Sequence, residues 1–164
     1  MGGVGMSFSL YRSLPTARRV ALLTRLISER KESRALFIQR MSARGGFRAV
    51  VLLKWPAARL AYEVVRMNAQ TAEDEVDLLQ ALYVDIEPAI QTAFLHAAGV
   101  RAEGATIDET LEPPYAAEPM VASAAGLVRD QFGADGLHYL RTIARYNPAG
   151  WPGIVALLAD HPQA

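Results

Sequence analysis

The side chains here with the greatest capacity for chemistry are seventeen carboxylates and three histidines. A di-iron carboxylate bundle requires a carboxylate three residues ahead of a histidine on each of two helices. Asp135 and His138 have that spacing, no second pair repeats it, and Asp135 equally suits a helix cap. His96, His138 and His161 show no metal-ligand spacing along the chain and read as surface or packing histidines. His96, in FLHAAG, is the residue type that holds haem in globin-like folds, and nothing else in the chain supports that role. Glu73 and Asp77 lie one helical turn apart and could share a cation with Asp74. Acids at a helix start are already favoured by its exposed amides, which is the simpler assignment. Gly2-Gly3-Val4-Gly5 lacks the lysine of a phosphate loop, and Ser42 and Ser123 read as ordinary helix serines outside any nucleophile elbow. Glycosidase-like carboxylate pairs carry no specificity among the fourteen acids of residues 71–164. No cysteine is present, so disulfides, thiolate catalysis and cysteine-ligated metals are excluded. No catalytic residue, metal or cofactor is therefore assigned.

The arginines are more informative. Net charge is zero, yet residues 1–70 hold thirteen bases against three acids, a balance of +10, and residues 71–164 hold four bases against fourteen acids, a balance of −10. Eleven of the thirteen bases are arginine, whose planar fork pairs with carboxylate or phosphate in two-point fashion. Arg18, Arg25, Arg40, Arg44 and Arg48 would form a basic stripe roughly 30–40 Å long if the first two helices ran end to end, at ~1.5 Å per residue. Such a stripe suits an acidic protein surface, another copy of the chain, or nucleic-acid phosphates. Stacking aromatics are sparse there, limited to Phe8, Tyr11, Phe37, Phe47, Trp55 and Tyr62, which argues against single-strand recognition. Internal pairing with Asp74, Asp77, Asp85 or Glu87 is the rival account, and surface pairs of that kind contribute only about 0–1 kcal/mol each.

Helices must position these charges. In Thr71–Gly99, Val76, Leu79, Tyr83, Ile86, Ile90, Ala93 and Ala97 recur at steps of three and four, and Leu78, Leu82 and Phe94 widen the face. Thr71 with Asp74 has the form of a capping box, and Gly99 suits a left-handed closing residue. Pro88 removes one amide and crowds the Val84 carbonyl, which predicts a kink. Ahead of this element, Ala17–Glu32, Arg34–Ala43 and Ala57–Met67 read as helices, with Gly45-Gly46 and Trp55-Pro56 as punctuation. Phe47–Lys54 would suit a buried strand, but no second strand presents itself as a partner, so it is assigned as helix. Arg101–Glu118 reads as the one long loop, with a single turn over Thr106–Leu111. Beyond it lie Met120–Phe132, closed by Gly133, then Gly136–Tyr146 capped by Asp135, and Ile154–Ala159 after Trp151-Pro152.

The expected fold is therefore all-α: a single-domain bundle of about six or seven helices around a long Pro-kinked central helix. At 164 residues the chain suits one domain, burying roughly 70% of its unfolded surface. A helical domain over 13–160 is expected between flexible ends, 1–12 and 161–164. No apolar run approaches the ~20 residues that cross a bilayer, and the first residues do not have the form of a secretory signal. A cytoplasmic location is expected. The expected function is a non-catalytic interaction module that uses its basic N-terminal face to bind an acidic protein partner or another copy of itself. A nucleic-acid-binding helical subunit is the alternative, and an enzyme with an unrecognised carboxylate site comes third. Circular dichroism should show well over half the residues helical; a spectrum dominated by sheet would revive Phe47–Lys54 as a strand.

Overall fold

The steps of three and four residues become helices. The computed structural model describes residues 9–159, of which 72% are helical. The fold is all-α, with one short two-stranded hairpin. The flexibility expected for 1–8 and for 161–164 falls outside the described residues. Residues 9–12, expected to be flexible, instead form helix α1 (Ser9–Arg12), with Leu10 and Tyr11 buried. One domain is expected over 13–160; the chain divides into two compact units, 1–81 and 82–164.

In the first unit α1 is followed by α2 (Thr16–Glu29), α3 (Lys31–Gly45), α4 (Ala49–Leu52), α5 (Ala57–Arg66) and α6 (Glu75–Gln80). Its most extensive contact is between α2 and α5. The buried faces are Leu22, Leu23, Leu26 and Ile27 on α2 and Leu60, Ala61, Val64 and Val65 on α5. Both sets follow the three-and-four step that places side chains on one side of a helix. Arg30, extended at φ −126° and ψ 110°, separates α2 from α3, so these are two helices and not one rod. Phe47–Lys54 supplies α4 and a turn, in agreement with its helical assignment.

The second unit holds α7 (Ala89–Ala97), β1 (Ala102–Glu103), β2 (Thr106–Ile107), α8 (Glu118–Tyr146) and α9 (Ile154–Ala159). The antiparallel β1–β2 pair occupies the stretch expected to be loop and a single turn. Its Ala105 carbonyl accepts a hydrogen bond from Gln91 Nε2 of α7, at 2.5 Å. Two residues per strand carry no alternation for a sequence to show, which is why the hairpin was not anticipated. α7 and α8 form the main helix contact. The core is a chain of aromatic rings, mostly edge to face: Tyr83 with Tyr139 at 5.1 Å between centroids, Tyr139 with Phe94 at 5.6 Å, and Phe94 with Trp151 at 4.9 Å.

The Thr71–Gly99 stretch is helical in pieces. A 3₁₀ turn (Ala72–Asp74) leads into α6, a π-helical turn covers Ala81–Ile86, and α7 starts after Pro88. The Glu87 N–H reaches the Leu82 carbonyl at 2.7 Å, one residue further back than an α-helix requires. Widening the turn relieves the crowding that the Pro88 ring would impose on an α-helical ladder. The apolar seam is thereby divided, with Leu78 and Leu79 buried in the first unit and Tyr83, Ile90 and Phe94 buried in the second. The closing motif is as expected. Gly99 has φ 72°, the Gly99 N–H donates to the His96 carbonyl, and the Val100 N–H donates to Leu95, a Schellman arrangement.

The longest helical element is α8, and it is bent. Gly133 sits at φ 59° and ψ −129°, outside the helical range, where the sequence places the end of one helix. Beyond the bend, Gly136 comes so close to the Val128 carbonyl that a Cβ would lie 2.4 Å from its oxygen. Gly133→Ala forces a side chain into a backbone region used almost only by glycine and should cost roughly 1–3 kcal/mol. Thermal unfolding measures this; an unchanged midpoint would show that the bend relaxes freely.

Candidate functional site

The arginines predicted as a partner-binding stripe do not share one environment. On α3, Arg40 makes a two-point ion pair with Asp74, with Nη2 3.0 Å from Oδ1, and Nη1 also reaches the Ala69 carbonyl at 3.3 Å. One turn on, Arg44 donates to the Asn68 carbonyl at 3.0 Å. Arg34, also on α3, reaches the carbonyls of Leu53 and Trp55 at 3.0 and 2.8 Å. Asn68 and Ala69 lie just past α5, and Leu53 and Trp55 just past α4. Carbonyls in such positions lack helical partners and carry the negative end of the helix dipole, so guanidinium groups suit them. On α2, exposed Arg25 pairs with Glu29 at 2.7 Å and Arg18 is half-buried. Arg48 is exposed, at the residue that opens α4.

The acids at 73–77, assigned to an exposed helix start, divide in the same way. Glu73 and Asp77 are exposed. Glu75 is wholly buried, and its Oε2 accepts the Tyr11 N–H of α1 at 3.0 Å. Gln70 Nε2 donates to the Tyr11 hydroxyl at 2.8 Å. Burial pushes the Tyr11 hydroxyl up to about 12, against the Gln70 hydrogen bond, which lowers it. Burial pushes the Asp74 carboxyl up as well. Hydrogen bonds from Arg40 and from the Thr71 N–H outweigh that and hold it below the usual carboxylate range. The Thr71 N–H donates to Asp74 Oδ2 at 2.7 Å, one arm of the expected capping box.

His138 lies buried with its Nδ1 against the Tyr83 hydroxyl, and the Thr142 hydroxyl donates to the His138 carbonyl at 2.9 Å. Fifty-five residues separate Tyr83 from His138, so no spacing rule could have joined them. Both are nearly sealed from solvent, which makes the pair a hydrogen bond of the core. Burial also pushes neighbouring Tyr139 well above the usual tyrosine range. His96 is exposed, and His161 lies outside the described residues. Among the described residues no cluster of three or more His, Asp or Glu is placed to hold a metal ion.

Open cavities also lie among the described residues. One, of about 470 Å³, is lined by residues 101–103 and 106–110 around the hairpin. Its Asp108 is tied to its own turn, accepting from the Thr110 N–H at 2.9 Å and the Thr110 hydroxyl at 2.7 Å, and those bonds lower its pKa. Another, of about 430 Å³, is an apolar groove between α3 and the α4 segment, lined by Ala35, Ile38, Gln39, Ser42 and Ala43 on one side and Ala49 and Leu53 on the other. Beside it the chain exposes large apolar side chains: Leu53 at 62%, Val50 at 51% and Val51 at 44%. Arg48 and Lys54, both exposed, flank that apolar run in the chain. Exposed apolar side chains at the edge of an apolar groove are a mark of interaction sites, and of these three Leu53 itself lines the groove. The sequence held a signal for it, since Ala49–Leu53 is apolar at every position, more than one buried face of a short helix can use.

Comparison with protein-family models, with curated proteins and with solved structures finds no match.

The Arg40–Asp74 pair yields a prediction with a defined sign. The folded Asp74 carboxyl is a stronger acid than the unfolded one. Its contribution is therefore complete above the unfolded value of about 4 and is lost as pH falls through the lower folded value. Arg40→Met should destabilise by about 1.5–3 kcal/mol at neutral pH, with the deficit shrinking below about pH 4. Denaturant unfolding at the two pH values checks this, and equal stability at neutral pH would show that the pair contributes nothing.

Proposed function

We propose that the chain is a non-catalytic interaction module that binds an acidic, apolar-faced helix of a partner protein in the groove between α3 and α4. The observation that carries this reading is the exposure of Leu53 in the groove lining, with exposed Val50 and Val51 next to it in the chain and exposed Arg48 and Lys54 at the two ends of that run. Helix-in-groove recognition uses this combination: apolar anchors enter the groove, and charges around it set the approach and select the partner. Of the five arginines expected to bind a partner, we assign Arg48 to this surface because it directly precedes the exposed apolar run in the chain. Lys54 joins it, and Arg40 and Arg44 act on Asp74 and on backbone carbonyls. That use of Arg34, Arg40 and Arg44 also favours a protein partner over nucleic acid, because it draws guanidinium groups away from phosphates. A cytoplasmic setting is part of the proposal, supported by the cysteine-free composition. Among the described residues no helix is long and apolar enough to cross a membrane.

A fluorescent Leu/Glu-rich helical peptide, titrated with the chain, provides the test. Saturable binding is expected. Val50→Asp with Leu53→Asp should weaken it at least tenfold, Arg48→Glu with Lys54→Glu should weaken it and remove most of its salt dependence, and Arg25→Glu should leave it unchanged. Peptide binding indifferent to the Val50 and Leu53 changes would overturn the proposal. So would duplex DNA bound more tightly than the peptide.

A further inference from the structure

We infer that the occupant of this groove is the first half of α8, residues 118–132, from a second copy of the chain. The inference rests on the groove being the binding site and adds the identity of the partner. Along 118–132 the buried residues are Val121, Ala124, Ala125 and Val128. On the flank of that buried face Met120 and Leu127 are 43% and 45% exposed, with Ser123, Asp130 and Gln131 also exposed. Met120 and Leu127 are seven residues apart, hence on one side of the helix and about 10.5 Å from each other along its axis. The groove wall on α3 runs from Ala35 to Ala43, about 12 Å by the same rise per residue. Two apolar anchors therefore match the length of the groove. Its lining is mostly small, with Ala35, Ser42, Ala43 and Ala49, which lets a second helix approach to the ~8–10 Å of ordinary helix contacts.

Charge selects between a second copy and an unrelated partner. Residues 1–81 hold thirteen bases and seven acids, a balance of +6, and residues 82–164 hold four bases and ten acids, a balance of −6. The groove belongs to the positive unit and the exposed helix face to the negative one. Locally, Asp130 edges the Met120–Leu127 face, while Arg129 points about 160° away from Leu127 around the helix. Asp130 can thus meet Arg48 or Lys54 as the apolar anchors seat. Groove and helix face are different surfaces, so the contact is heterologous: each copy offers one of each, and association builds a ring or an open chain.

Sedimentation velocity over a range of concentration and salt tests this, using two variants. One disables the groove (Val50→Asp, Leu53→Asp) and the other disables the helix face (Met120→Lys, Leu127→Lys). The native chain should associate with rising concentration and dissociate in high salt, and each variant alone should be monomeric. Mixed in equal amounts, the variants should form a heterodimer and nothing larger, because one intact groove meets one intact helix face. A second measurement does not depend on those changes. With no native cysteine, Leu53→Cys and Leu127→Cys chains mixed with a short bismaleimide should cross-link, whereas Leu53→Cys with Val155→Cys should not. A native chain monomeric at every concentration overturns the inference, as does self-association by either disabled variant. A monomeric chain that still binds the Leu/Glu-rich peptide would sink self-docking and leave the proposed function standing. A monomeric chain whose groove binds anionic phosphatidylglycerol vesicles, and not the peptide, would sink both.

Discussion

Short helices end in carbonyl groups that have no partner, and in residues 1–81 arginine side chains supply those partners. Arg34 closes the end of α4 and Arg40 and Arg44 close the end of α5, all three projecting from α3. One helix thereby holds the ends of two others, and α4, only four residues long, depends on such support because its own ladder is too short to persist. Arg40 goes further and joins Asp74, which tethers the start of the 71–99 stretch to the same helix. Part of the positive charge in the early sequence, Arg34, Arg40 and Arg44, is therefore structural and directed at backbone dipoles.

The same economy explains where apolar surface is left over. α4 buries Leu52 and leaves Val50, Val51 and Leu53 in water. Hydrophobic burial is worth roughly 25 cal/mol per Å², so leaving three such side chains uncovered forgoes stability that a polar sequence would not have offered in the first place. Arg34 holds the end of α4 while these side chains stay exposed.

In the second unit order comes from rings instead of arginines. Tyr83, Tyr139, Phe94 and Trp151 contact one another in sequence, and edge-to-face pairs contribute about 0.5–1.5 kcal/mol each beyond the area they bury. Gly133 bends α8, and beyond the bend Gly136 comes close to the Val128 carbonyl. The π-helical turn at Ala81–Ile86 has a comparable role, since it sets Tyr83 in the ring chain while Leu79, four residues earlier, stays in the first unit's core.

Features that depend on neighbours within about four residues were legible in the sequence. The helices, the interruption ahead of Pro88, the closing motif at Gly99 and the division of 118–146 at Gly133 all follow from amide and carbonyl accounting, glycine's backbone freedom and apolar periodicity. None of these needs knowledge of what lies across the core. The fate of individual charges was not legible. Asp74 and Glu75 look like two more acids at a helix start, yet one is held by an arginine thirty-four residues earlier and the other caps a helix sixty-four residues away. Arg40, Arg44 and Arg48 read as members of one stripe, and only tertiary structure decides that the first two meet Asp74 and backbone carbonyls while the third stays in solvent. The exposure of Val50, Val51 and Leu53 was decided the same way. An apolar run states that a surface avoids water, but whether the chain has another surface at hand to cover it depends on contacts between distant residues, which spacing along the sequence does not encode.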